Sequence, residues 1–198
     1  MLDGEQVPTS DKIYSIFEPH TGLIKRGKVR APVEFGHKVF LAESARGLIT
    51  QYEVLRGNPA DEVHVAPSLE RHRRIFRRSP ALYGADRGFF SENNLAVCVR
   101  GGVATVSIPQ RGGCKTPERR AYERSPAFKQ GQRFRAGIEG RISVLMRGRG
   151  MKRCRAEGTE RFALFVGAAV LANNLMIIGE LLTKRSRRRR KINKQVLN

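Results

Sequence analysis

The chain has 198 residues, enough for one domain with a core of its own, and its 40% hydrophobic and 28% charged content is that of a globular protein. With 38 Lys and Arg against 18 Asp and Glu, the net charge is +20, which points to a polyanionic partner: DNA, RNA or an anionic membrane surface. Three scattered cysteines (Cys98, Cys114, Cys154), four histidines at no ligand spacing and the absence of tryptophan argue against a disulfide scaffold, a zinc site and a base-stacking platform.

Met1–Asp11 is polar and has no basic-then-apolar leader pattern. Lys12–Phe17 alternates like a short strand and stops at Glu18-Pro19. Thr21–Pro32 is a basic loop, either a solvated hairpin or, through Lys25 and Lys28, a contact for DNA phosphates. Gly36–Glu43 and Leu48–Leu55 are expected to pair as an antiparallel hairpin across Ser44-Ala-Arg-Gly47. Asp61, just after Asn58-Pro59, is expected to cap a basic helix over Glu62–Arg78.

Ala81–Asp86 reads as a strand, Ser91–Arg100 as a short helix capped by Ser91, and Val103–Ile108 as a further strand. Pro109–Pro126 reads as a basic, Gly-rich linker. The closing helix, about Glu160–Thr183, is apolar on most faces, but Asn173, Asn174 and Glu180 interrupt Phe162–Leu182, so a buried core helix is expected there and no membrane span. Residues 184–198, opening with the basic run Lys184–Lys191, are expected to be a disordered tail behind a single domain over 1–183. The order of elements is that of an α/β protein built around a mixed sheet.

The chemistry-bearing stretch is Phe128–Gly150, in which Phe134, Ile138, Ile142 and Leu145 recur at helical spacing. Its single acid, Glu139, lies among Arg133, Arg135, Arg141, Arg147 and Arg149. The plain reading is an ion pair, since Arg135 and Glu139 stand at i,i+4. A second acid, Asp86, ends a short apolar run and opens a glycine turn, where open α/β sheets place their working residues. Two converging carboxylates beside many arginines suit divalent metal ions next to a phosphate backbone.

Asp86-Arg-Gly-Phe89 and Arg135-Ala-Gly-Ile-Glu139-Gly-Arg-Ile-Ser143 resemble the second and third acids of a DDE transposase of the bacterial insertion-sequence kind. Lys12–Thr21, Glu34–Val39, Ser107–Gly112 and Leu171–Leu175 resemble further landmarks of that family in the same order, so the likeness extends to about Leu182. The resemblance implies a ribonuclease H-like sheet flanked by helices, Mg²⁺ held by Asp86 and Glu139 as metal-binding, catalytic acids, and phosphodiester hydrolysis and strand transfer on double-stranded DNA. It implies DNA contacts at Arg135, Arg141 and Arg147, a cytoplasmic, nucleoid-associated protein, and a homodimer or a complementing N-terminal fragment as partner. Met146 stands where related enzymes often carry lysine. The family's first acid belongs to a strand upstream of Lys12, so the chain is expected to lack that strand, to be weakly stable alone and to be catalytically incomplete, with Asp3, Asp11 and Glu18 as poor substitutes. The other reading of the same charge is a basic nucleic-acid-binding protein without catalysis.

Overall fold

Short strands bounded by glycine turns occupy the first half of the chain, and helices dominate the second. In a computed structural model, which describes residues 12–14, 21–25, 33–152, 154 and 157–196, β1 (Gly22–Lys25) pairs antiparallel with β2 (Val33–Gly36), and β3 (Val39–Glu43) with β4 (Ile49–Val54). The β3–β4 turn closes through Gly47, whose φ of 82° suits glycine, and its N–H donates to Ser44 O. The hairpin expected here is present, with Gly36 ending β2 instead of opening β3. Half of the strand expected at Lys12–Phe17 lies outside the described residues, and Lys12–Tyr14 are not in a strand.

Asp61 does not cap the next helix. Asp61–His64 form a 3₁₀ turn behind Ala60, and the Asp61 carboxylate instead pairs with Lys38 Nζ at 2.7 Å. Helix α1 (Val65–Phe76) starts later than expected, with Pro67 in its first turn, where a missing N–H is not needed. It ends at Arg77 in the left-handed region, φ 57°. After it come β5 (Leu82–Gly84), a 3₁₀ turn at Arg87–Phe89, α2 (Glu92–Arg100) and β6 (Thr105–Ser107), which pairs parallel with β5. As expected, Ser91 caps α2, its Oγ accepting the Asn94 N–H at 3.1 Å.

The expected linker Pro109–Pro126 contains a helix, α3 (Pro117–Arg124). Its start signal is Thr116-Pro117-Glu118: the threonine hydroxyl accepts the Arg119 N–H and proline occupies the first turn. Helix α4 (Pro126–Ser143) runs into a π-helical turn at Val144–Gly148, and α5 (Thr159–Val196) continues past Thr183 through the basic run.

The chain is therefore a mixed α/β protein. In place of one mixed sheet, the described residues form three two-stranded ladders. Side chains close the outer edges of two of them. Asn174 of α5 donates to Ile49 O at 2.8 Å and accepts the Ile49 N–H at 2.9 Å, as a neighbouring strand would do for β4. The Tyr122 hydroxyl of α3 does the same for Val106 in β6, donating to its carbonyl at 3.1 Å and accepting its N–H at 3.3 Å. The other edges of β3 and β5 pair with no strand among the described residues.

Two cores result from this layout. Val65, Leu69, Ala85, Cys98, Val103, Val106 and Ile108 close around the β5–α2–β6 unit, while Ile49, Leu145, Val166, Ala169 and Val170 join the β3–β4 hairpin to α5. Burial in the first core pushes the Cys98 thiol up to about 11. A thiol reagent at pH 8 should therefore label exposed Cys114 rapidly and Cys98 only after denaturant is added. Native-state labelling of Cys98 at the rate of Cys114 would contradict this packing.

Candidate two-carboxylate site

The site is built at the C-terminal ends of β5 and β6, where α4 crosses them. The crossing is close because Gly131 has no side chain: a Cβ there would run into Ser107, with the Ser107 Oγ only 2.7 Å away and Leu82 Cδ1 at 3.3 Å. Gly84 faces it, and a Cβ on Gly84 would lie 3.1 Å from Gly131 O. Polar bonds hold the crossing in place. Gln132 Nε2 donates to Ser107 O at 2.7 Å and Ser107 Oγ at 3.0 Å, and the fully buried Ser107 hydroxyl donates to Phe128 O at 2.9 Å.

One turn beyond Gln132 on α4 comes Arg135, and one further turn brings Glu139. Both face the loop that leaves β5, where Asp86 accepts the Arg87 N–H at 2.6 Å and so opens the 3₁₀ turn. The Arg135 guanidinium lies 2.8 Å from Glu139 Oε1 and 3.7 Å from Asp86 Oδ2. Two acids separated by 52 residues in sequence thus share one arginine. Arg135 is 22% exposed, while Asp86 and Glu139 are 68% and 66% exposed, so the carboxylates open to solvent above a half-buried cation.

The remaining expected contacts are placed separately. Arg141 bonds the half-buried Glu43 at 3.0 Å and lies against Gly47, tying α4 to the hairpin turn. Arg147 is exposed in the π-helical turn, about two turns past Glu139. Lys25 belongs to β1, and Lys28, Asp3, Asp11 and Glu18 lie outside the described residues.

Mg²⁺ is commonly held by one or two carboxylates together with water and substrate phosphates, and Asp86 and Glu139, with the Arg135 guanidinium between them, are the two carboxylates present here. Among the described residues, no group of three or more His, Cys, Asp or Glu side chains is placed to hold a metal ion. A site of three acids would need one from outside them. Tyr83, behind Asp86, is no general base at neutral pH, because burial outweighs its bond with Ser68 and pushes its phenol up to about 12.

Sequence reasoning overlooked a supporting cluster on α3. Arg119 bonds Ile108 O and Glu123 Oε1, and its guanidinium lies 5.4 Å from the Phe90 ring, 5.6 Å from Tyr122 and 5.8 Å from Phe128. Glu123 also accepts from Lys115 and from the Gln110 N–H at 2.9 Å. The only sequence trace of this cluster is the i,i+4 spacing of Arg119 and Glu123. Burial works against the Glu123 carboxylate, but the bonds from Lys115, Gln110 and Arg119 prevail and hold its pKa below the usual value.

No protein-family model, no curated protein and no solved structure matches this chain. The family likeness therefore rests on the residues themselves.

Gly131→Ala should destabilise the protein by about 1–3 kcal/mol, because α4 must move off Ser107. Gly137→Ala, at a helical position with open space around it, should stabilise by about 1 kcal/mol. Urea unfolding of both variants tests the pair, and equal effects would contradict the close crossing. Glu123→Gln should cost about 1–3 kcal/mol at pH 7. Because the folded pKa is lowered, that contribution is complete above pH 4.5 and lost as the pH falls through the folded value. The gap between wild type and Glu123→Gln should therefore narrow at pH 3, and a gap independent of pH would argue against the charge network.

Proposed function

We propose that this chain carries two of the metal-binding acids of a DDE transposase, Asp86 and Glu139, and acts on the phosphodiester backbone of double-stranded DNA. The observation that carries the proposal is the convergence of both carboxylates on Arg135 at the C-terminal end of a parallel strand pair.

The strand edges support the ribonuclease H-like form of the reading. Asn174 and Tyr122 seal the outer edges of β4 and β6, whereas β3 and β5 have edges without a strand partner among the described residues. In the ribonuclease H-like form of this reading, an extended segment pairs with the open edges of β3 and β5. A third acid carried on that segment would complete the site.

Each residue then has a definable role. Divalent ions held by Asp86 and Glu139 would supply positive charge to offset the negative charge on the attacking and leaving oxygens of the phosphodiester. Asp86 and Glu139 offer the oxygen ligands from two rigid elements that cannot drift apart while Gln132 holds α4 to Ser107. Arg135 balances the paired negative charge, which lets a polyanionic backbone approach. Exposed Arg133 and Arg147 extend the positive surface along α4 and beyond, and the net charge of +20 supplies non-specific affinity that falls with salt.

The test uses Fe²⁺ as a probe for the Mg²⁺ site. With ascorbate and peroxide, iron held by the two acids should cut the polypeptide near residues 86 and 139, excess Mg²⁺ should suppress the cuts, and Asp86→Asn or Glu139→Gln should remove them while leaving DNA binding in a gel-shift assay intact. DNA binding without localised cutting would overturn the catalytic reading in favour of a basic nucleic-acid-binding protein.

A further inference from the structure

Arginine crowds the end of α1. Arg73, Arg74, Arg77 and Arg78 follow one another closely and all are exposed. Among the described residues none of them makes an ion pair, whereas Arg71, earlier in the helix, is held by Glu53 at 3.0 Å. Arg77 is also the only residue other than glycine with a positive φ among the described residues. At 57° it occupies the left-handed position just past the helix, where glycine is the ordinary choice, and its N–H donates to Arg73 O at 2.8 Å. That conformation costs free energy in a residue with a Cβ, and costs of this kind collect at functional sites.

A second helix end is tied to the first. Ser79 Oγ donates to Gly101 O, joining the segments that follow α1 and α2, and between the helices lies a cleft of about 290 Å³. Ala66, Leu69 and Val97 line it together with Glu70, Arg73 and Arg100. Arg100 is exposed and, like the others, in no ion pair among the described residues, so the cleft sets two guanidiniums against one carboxylate.

Apolar surface is interleaved with this charge. Phe76 is 41% and Ile75 50% exposed, and the Phe76 ring lies 4.6 Å from that of His72. Burial, and after it the Arg78 charge, lower the His72 pKa below its ordinary value, so near pH 7 the imidazole is a neutral ring beside the phenyl. A duplex offers such a surface phosphates and sugars, because its base faces are covered by stacking. A single strand offers phosphates for the guanidiniums and open base faces for the ring.

This surface is separate from the carboxylates. Arg77 and Arg78 precede β5 and Arg100 precedes β6, whereas Asp86 follows β5, so the two lie at opposite ends of the strand pair. The extended chain from Ala81 to Asp86 spans roughly 17 Å. We propose that the joined ends of α1 and α2 form a second binding surface, for single-stranded nucleic acid, with Phe76 as the platform for one base and Arg73, Arg77, Arg78 and Arg100 as phosphate contacts. It needs no metal ion, so it stands or falls independently of the role given to Asp86 and Glu139.

Fluorescence anisotropy of a labelled oligothymidylate, in EDTA, reads this binding without a metal at the carboxylates. Phe76→Leu keeps an apolar side chain and removes the ring. It should weaken oligothymidylate binding about fivefold, the low end for one stacked base, and leave binding to a duplex of equal length unchanged. Arg77→Gly should raise the urea midpoint, because the left-handed position then carries no Cβ, and reduce the slope of log affinity against log salt by about 0.7, one phosphate contact on a single strand. Arg161→Gln, which removes the same charge from an exposed position on α5, should leave both unchanged. Oligouridylate of equal length tells RNA from DNA, the tighter of the two identifying the strand that the surface takes. A wild type that does not bind oligothymidylate, a Phe76→Leu effect that is absent or equal on single strand and duplex, or an Arg77→Gly slope no different from that of Arg161→Gln would each overturn the proposal.

Discussion

The crossing of α4 over the parallel β5–β6 pair is the constraint on which the rest of the site depends. It is set by the absence of a side chain at Gly131 and by the bonds from Gln132 to Ser107. With the helix axis fixed there, helical geometry places the working side chains: the next two turns on that face present Arg135 and Glu139, and the loop leaving β5 presents Asp86. A shift of α4 by the width of one methyl group would carry Arg135 and Glu139 together away from their place beside Asp86. The π-helical turn at Val144–Gly148 comes just after this face, and Arg141 anchors that end to Glu43 in the hairpin. Glu139 is thus carried on a helix held at both ends.

Hydrogen-bonding side chains do much of the work that a larger sheet would do with backbone. Asn174 and Tyr122 each pair with both groups of one edge residue, so the strand edges that meet helices are satisfied while the edges of β3 and β5 have no strand partner among the described residues. The same economy appears on α3, where Arg119 and Glu123 are largely buried yet paired with each other, with Lys115, with backbone groups and with three aromatic rings. A buried charge is tolerable only when its bonding capacity is met in this way. Arg119 sits against Phe128 at the start of α4, so this cluster supports the helix that carries Glu139.

Much of this was legible in the sequence wherever a signal is local. The β3–β4 hairpin came from alternation and a glycine turn, the Ser91 cap from its position before Glu92, and the pairing of Arg135 with Glu139 from i,i+4 spacing. Local signals also misled where a tertiary partner competed. Asp61 has the chemistry of a cap, but Lys38 provides a full counter-charge 2.7 Å away and the helix starts four residues later. The basic stretch after Pro109 looked like a linker because its charges mask the Thr116-Pro117 start of α3, whose stability comes from contacts with Val106, Ile108 and Phe90 upstream.

By itself, the sequence determined the net charge of +20, the α/β alternation, the helix carrying Glu139 and the turn carrying Asp86, because composition, period and turn residues are properties of short stretches. Only the tertiary structure decided that the two acids share Arg135, that the strands form separate ladders closed by Asn174 and Tyr122, and that α5 leaves one of its two apolar faces in solvent. Those outcomes depend on which distant surfaces meet. Contact at a point such as Gly131 is set by the shapes of both partners at once, and neither stretch of sequence contains the other.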